Sequence, residues 1–189
     1  MGSLEIIMGP MFSGKTELLI KKYNNYSSIS ENDNLLLSTI FCMAFNYHKD
    51  NRYGENIIAS HNKKSISSVN IEFLSEIFKN PNFSKITHIF INEAQFFSDL
   101  KKHVIELIEK YNKNVIICGL DSDFKREKFG DIWDLIPHAN NIIKLKGQCN
   151  NCDNHSLFTH RITKEEKQEI IGTNNYIPLC RQCYIKANY

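Results

Sequence analysis

A chain of 189 residues, 42% hydrophobic and 23% charged, is long enough to bury one core of ordinary size and to carry a small appendage. Its 23 Lys and Arg stand against 21 Asp and Glu, a net charge of +2, which argues against a nucleic-acid coat protein with its strong basic excess. No apolar run approaches the ~18 residues that span a bilayer.

Residues 4–8 (LEIIM) are a short apolar run before a Gly-rich turn and read as a buried strand. Residues 16–26 place Leu18, Leu19, Tyr23 and Tyr26 around Lys21 and Lys22, the pattern of an amphipathic helix. Polar residues 27–34 read as a loop, 35–40 as a second buried strand, and 46–70 as loops with a short hairpin. A helix is expected over 71–79, stopped by Pro81. A third strand follows over 87–92. Leu100, Val104, Leu107 and Ile108 then lie at helical spacing within 99–111. A fourth strand is expected over 115–120, a short helix over 132–136 and a last strand over 142–145. Continuous apolar strands alternating with helices predict a parallel sheet covered on both faces, the doubly wound α/β class. From about residue 146 the composition changes to four Cys and several Asn, which reads as a second unit: 1–146 and 147–189. A strand that begins at Leu4 leaves no stretch for a cleaved leader, so a reducing, cytoplasmic compartment is expected.

Gly9-Pro10-Met11-Phe12-Ser13-Gly14-Lys15-Thr16 fits G-x-x-x-x-G-K-[ST], between a predicted strand and a predicted helix. Glycines let successive backbone N–H groups turn inward around phosphate oxygens, and the helix N-terminus adds its positive dipole end. Lys15 brings a charge to the β/γ-phosphates, and the Thr16 hydroxyl can ligate Mg²⁺. The strand Ile89-Phe90-Ile91 ends in Asn92 and Glu93. A carboxylate at the C-terminal edge of a strand beside a phosphate loop is placed as a general base. Cys149-x-x-Cys152 and Cys180-x-x-Cys183 are two knuckles. Together they can close a tetrahedron around a structural Zn²⁺, which is favoured over redox dithiols or disulfides in a reducing compartment. Cys42 and Cys118 lie in or beside apolar runs and read as packing residues.

The loop GPMFSGKT, the run Asn92-Glu93-Ala94-Gln95-Phe96-Phe97, the segment from Gly119 through Phe124 to Gly130 and the two knuckles together resemble the type II thymidine kinases, in order along nearly the whole chain. The resemblance implies a P-loop NTPase-like (RecA-like) sheet flanked by helices, with a small zinc-binding lasso domain. It implies transfer of the ATP γ-phosphate to the 5′-hydroxyl of thymidine. Glu93 then takes the hydroxyl proton, with Lys15 and Arg52 supplying charge. Asp50, Asn92 and Gln95 join the ATP and Mg²⁺ side. Phe96, Leu120, Phe124, Phe129 and Thr159 bound the thymidine. Ile170, Ile171, Gly172 and Tyr176 match the lasso loop that closes over the base, with one residue missing between Gly172 and Tyr176. A homotetramer and feedback by dTTP are implied in the same way.

One position departs from the family. Asn92 stands where Asp is usual, keeping an acceptor and losing a negative charge. Weaker use of Mg²⁺ is expected, and Asn92→Asp is expected to raise activity at limiting Mg²⁺. Two other readings stay open: a nucleotide-binding homologue with little turnover, and an ATPase whose zinc unit acts on nucleic acid. The near-neutral charge counts against the second.

Overall fold

The apolar runs pair as one parallel sheet. The computed structural model describes residues 1–32, 40–169 and 174–189. In it β1 (Ser3–Gly9) leads through a glycine-containing loop into α1 (Lys15–Asn32). Next come β2 (Cys42–Tyr47), a hairpin of β3 (Ile57–Ala59) and β4 (Ser65–Ser67), and β5 (Val69–Ile71). A 3-10 turn (Leu74–Lys79) precedes β6 (His88–Ile91). Another (Ala94–Phe96) precedes α2 (Leu100–Ile105), which runs into a π turn (Glu106–Lys110). After β7 (Asn114–Leu120), a further 3-10 turn (Ile132–His138) leads to β8 (Asn141–Lys144). The order across the sheet is β5-β2-β6-β7-β1-β8, with every pairing parallel. The remainder forms two antiparallel ladders, β9 (Gly147–Gln148) with β10 (His155–Ser156) and β11 (Phe158–Arg161) with β12 (Tyr176–Leu179). The helix α3 (Arg181–Asn188) ends it.

The period of two explains why these strands are apolar throughout. Ile6, Ile89, Ile91, Val115 and Ile117 face Leu100, Val104 and Leu107 of α2 and its π turn. The intervening Ile7, Phe90, Ile116 and Cys118 face Leu19 and Ile20 of α1. Both faces are therefore buried, and each fully buried aliphatic side chain contributes about 1.5–3 kcal/mol. Among the described residues no helix is long and apolar enough to cross a membrane.

Several elements differ from the sequence expectation. Residues 27–32 continue α1 instead of forming a loop. The Ser28 hydroxyl donates to the carbonyl oxygen of Asn24, so a residue that could have ended the helix satisfies itself within it. The expected strand over 35–40 falls largely outside the described residues, and the strand beside β6 is β2, from Cys42. The expected helix over 71–79 is divided. Ile71 ends β5, Phe73 is extended, and a 3-10 turn begins at Leu74, where the Asp99 carboxylate accepts from the N–H groups of Leu74 and Ser75 at 3.0 and 3.1 Å. The register sets the C-terminal ends of the central strands side by side, with Gly9 opposite Leu120. The loops after β1, β2, β6 and β7 therefore emerge at one edge, where open α/β sheets bind ligands.

Candidate active site

A cavity of about 340 Å³ opens at that edge. Its floor is the loop from Met11 to Thr16, with Gly14 at φ +84°, a backbone angle that side chains rarely adopt. Lys15 Nζ donates to the carbonyl oxygen of Pro10 at 2.7 Å, which curls the side chain under the loop. Burial lowers the Lys15 pKa, while the charges of Glu93 and Asp121 pull it back up. The Thr16 hydroxyl reaches Asn92 Oδ1 at 3.4 Å. Gly9 and Pro10 lie behind the floor and do not line the cavity.

Glu93 follows β6 in the left-handed region, at φ +52°, and opens a 3-10 turn. Such a conformation in a non-glycine residue costs of order 1–3 kcal/mol and is kept where the surroundings impose it. Here both carboxylate oxygens are held. Arg52 Nη2 donates to Oε1 at 2.6 Å, and Gln95 Nε2 to Oε2 at 2.7 Å. Gln95 is buried behind the site and is itself fixed, because the N–H of Leu120 donates to its Oε1 at 3.0 Å. Gly119 makes this approach feasible, since a Cβ there would lie 2.5 Å from Gln95 Oε1. Arg52 grips Asp50 as well, through Nε at 2.5 Å and Nη2 at 3.1 Å. Burial alone would lower the Arg52 pKa, but the two carboxylates reverse it and hold the guanidinium well above its ordinary value. The result is a carboxylate beside a phosphate loop, aimed by two donors on either side.

Aromatic rings bound the other end. Phe96 stacks on Tyr47 with centroids 5.1 Å apart and meets Phe129 edge-on at 5.4 Å. Phe124, Leu120, Thr159 and Tyr176 complete this wall. The wall is tied to both halves of the chain. The N–H of Met11 donates to Thr159 Oγ1 at 3.0 Å, and Tyr184 Oη donates to the carbonyl oxygen of Phe124 at 2.5 Å. Arg161, 5% exposed, places its guanidinium carbon over the Phe124 ring, 3.7 Å from the centroid. It donates to the carbonyl oxygens of Glu165, Lys167 and Gln168 and to Tyr176 Oη. Gln168 Nε2 continues the seam to Asp123 Oδ2 at 2.8 Å. Ile170, Ile171 and Gly172, expected over the base, lie outside the described residues.

The four knuckle cysteines converge, with their sulfurs all within 4.8 Å of one another and two pairs at 3.6 and 3.7 Å. A tetrahedron with ~2.3 Å Zn–S bonds has edges of about 3.8 Å, so the four thiols fit a zinc ion. None of them is in a disulfide. Burial works against ionisation of Cys149, but the N–H groups of Cys180 and Asn151 overcome it and bring its pKa down to about 6. The sulfur of Cys180 caps α3 by accepting from the Cys183 N–H.

Of the expected site residues that the structure describes, those from Met11 to Thr16, Asp50, Arg52, Asn92, Glu93, Phe96, Leu120, Phe124, Phe129, Thr159 and Tyr176 line one cavity, while Gly9, Pro10 and Gln95 do not. Other lining residues carried no motif. Tyr47 comes from β2, Ser60, His61 and Asn62 from the tip of the β3–β4 hairpin, and Gln168 from the segment under Arg161. Cys118 packs in the core as expected, and it also lines the cleft and donates to Asn92 Oδ1 at 3.0 Å.

Residues 2–184 match the family model described as thymidine kinase. A thymidine kinase of Yaba monkey tumor virus (strain VR587) is 35% identical over 188 residues, 99% of this chain and 97% of the relative. One of Bacteroides thetaiotaomicron is 36% identical over 98% of this chain and 88% of its own length. One of Oryza sativa subsp. japonica is 34% identical over 97% of this chain, which spans 66% of that protein.

Proposed function

The chain belongs to the thymidine kinase family, and on that premise we propose that it transfers the γ-phosphate of ATP to the 5′-hydroxyl of thymidine, giving dTMP. The observation that carries the proposal is the placing of Glu93. Glu93 lines one cavity together with Lys15 and Thr16 of the phosphate loop and with Phe96 and Phe129.

In this reading the backbone from Gly9 to Thr16 cradles the phosphates, and Lys15 and Arg52 offset the charge that spreads over the transferred group. Glu93 accepts the 5′-hydroxyl proton, and Gln95 keeps it aimed. Tyr47, Phe96, Phe129 and Phe124 offer flat apolar surfaces to a pyrimidine. Thr16, Asp50 and Asn92 are hard oxygen donors, the set Mg²⁺ takes, and would hold it with the nucleotide. When bound, that ion neutralises phosphate charge. Cys149, Cys152, Cys180 and Cys183 would hold a structural Zn²⁺ within a lasso unit of residues 147–189. A homotetramer, feedback by dTTP and a cytoplasmic location belong to the reading on family grounds.

The direct test is a product assay with ATP and thymidine, run beside deoxyuridine, deoxycytidine and DNA. Radiolabelled dTMP formed from thymidine supports the proposal. ATP hydrolysis stimulated by DNA, with no dTMP, rejects it.

Arg161 gives a second expectation. Its fork ties three carbonyl oxygens and the Tyr176 hydroxyl into one seam beside the nucleoside end of the cleft. Charge-assisted bonds of this kind contribute about 1.5–3 kcal/mol, so Arg161→Gln is expected to raise the KM for thymidine about ten- to hundredfold. The KM for ATP should stay within about twofold. Arg161→Lys should not rescue, because an ammonium lacks the planar fork. Steady-state kinetics with each substrate varied in turn decides it.

A further inference from the structure

Asn92, the residue that departs from the family pattern, belongs to a row of neutral side chains whose polarity can be traced from one end. The carbonyl oxygen of Asp50 can only accept, so the amide facing it, Asn46 Nδ2 at 3.0 Å, must donate. That turns Asn46 Oδ1 toward Asn92, where it accepts from Nδ2 at 2.9 Å. Asn92 Oδ1 is thereby aimed to the opposite side. There it accepts from the Cys118 thiol at 3.0 Å and the Thr16 hydroxyl at 3.4 Å. Asn46 is 1% exposed and Asn92 3%, so solvent does not replace a broken bond.

We propose that Asn46 is a positioning residue for the phosphate end of the cleft, and that Asn46 and Asn92 form a matched neutral pair in which neither is exchangeable alone. Asn46 aims the Asn92 carbonyl oxygen at Thr16. It also anchors the main chain of Asp50, whose carboxylate grips Arg52. A carboxylate at position 92 would set an oxygen against Asn46 Oδ1. Turning the Asn46 amide over would relieve that contact and create the same conflict with the Asp50 carbonyl oxygen. The new charge would also be buried, with donors from Cys118 and Thr16 on one oxygen and none on the oxygen that faces Asn46. The expectation from sequence, that Asn92→Asp alone improves Mg²⁺ use, is reversed. A cationic donor at position 46 would supply what the carboxylate lacks.

The kinetic half of the proposal rests on the kinase reading of the cleft; the pairing itself does not. The test is a double-mutant cycle of Asn92→Asp, Asn46→Lys and the combination, with the isosteric Asn46→Asp as a second disruption of the row at position 46. Thermal denaturation of the ligand-free protein gives the first readout. Each single variant is expected to lower the midpoint by about 5 °C or more, and the combination to recover at least half of that loss. The second readout is the Mg²⁺ concentration for half-maximal activity at fixed ATP. It should rise or stay level in Asn92→Asp and Asn46→Asp, and fall severalfold below the parent value in the combination. An Asn92→Asp protein with the parent midpoint and a lower Mg²⁺ requirement would overturn the proposal, as would singles whose effects simply add. If no form makes dTMP the kinase reading fails, and the ligand-free midpoints still decide the pairing.

Discussion

Glu93→Gln is expected to lower the rate of thymidine phosphorylation by about 10²–10⁴-fold while leaving ATP bound, the range over which a positioned general base acts. The substitution keeps size and removes basicity. Its side effects can be read from the contacts. Arg52 Nη2 can still donate to an amide oxygen, but Gln95 Nε2 would face an amide nitrogen where it now meets Glu93 Oε2. Gln95 cannot turn over without releasing the Leu120 N–H from its Oε1. Some of the loss would thus come from a displaced amide. Glu93→Asp separates the two effects, because it keeps the carboxylate and withdraws it by one methylene. The measurements are kcat for dTMP formation and the affinity for ATP by calorimetry. A Glu93→Gln rate within threefold of the parent would remove Glu93 from the chemistry, and with it the observation on which the proposed mechanism stands.

The parts of this site legible in the sequence are those whose spacing is itself chemical. A phosphate loop needs its glycines and Lys15 at fixed offsets, and a metal knuckle needs two thiols three positions apart, so both stand out in an unaligned chain. The strands β1, β6 and β7 stood out too, because burial on both faces leaves them unbroken apolar runs. Asn46 and Arg161 had no such signal. Asn46 is one polar residue within β2 whose partner Asn92 lies 46 positions away, and Arg161 ends β11 among other polar residues, its partners up to 15 positions on. The helical content was legible in kind and less so in form. The spacing over 71–79 and 132–136 is helical, yet both segments close as 3-10 turns, the second with no side-chain cap. At Leu74 the cap is Asp99, 25 positions away in sequence, which local periodicity does not register.

Removing the proposed zinc is expected to disable nucleoside binding before nucleotide binding. The buried cluster of the C-terminal part is Cys149, Leu179, Cys180 and Tyr184, with Cys152, Phe158, Ile177 and Cys183 partly buried against it, and four of these eight are the converging cysteines. So few apolar contacts do not hold a fold of that size, and structural zinc supplies about 10–16 kcal/mol in small domains that depend on it. Two contacts carry the loss into the cleft. Tyr184 of α3 donates to the carbonyl oxygen of Phe124, and Thr159 of β11 accepts from Met11. Without the metal the first would release an aromatic wall and the second one edge of the phosphate loop. Lys15, Thr16 and Glu93 stand on elements packed into the main sheet and keep their supports. A strong chelator, or Cys149→Ser, is therefore expected to make residues 147–189 sensitive to protease and to raise the thymidine KM at least tenfold. ATP affinity should change about threefold or less. Cys42→Ser, remote from the four sulfurs, should do none of this. Loss of both affinities in parallel would mean that the metal supports the whole chain. An unchanged protease pattern after complete chelation would mean that the four thiols hold no structural ion.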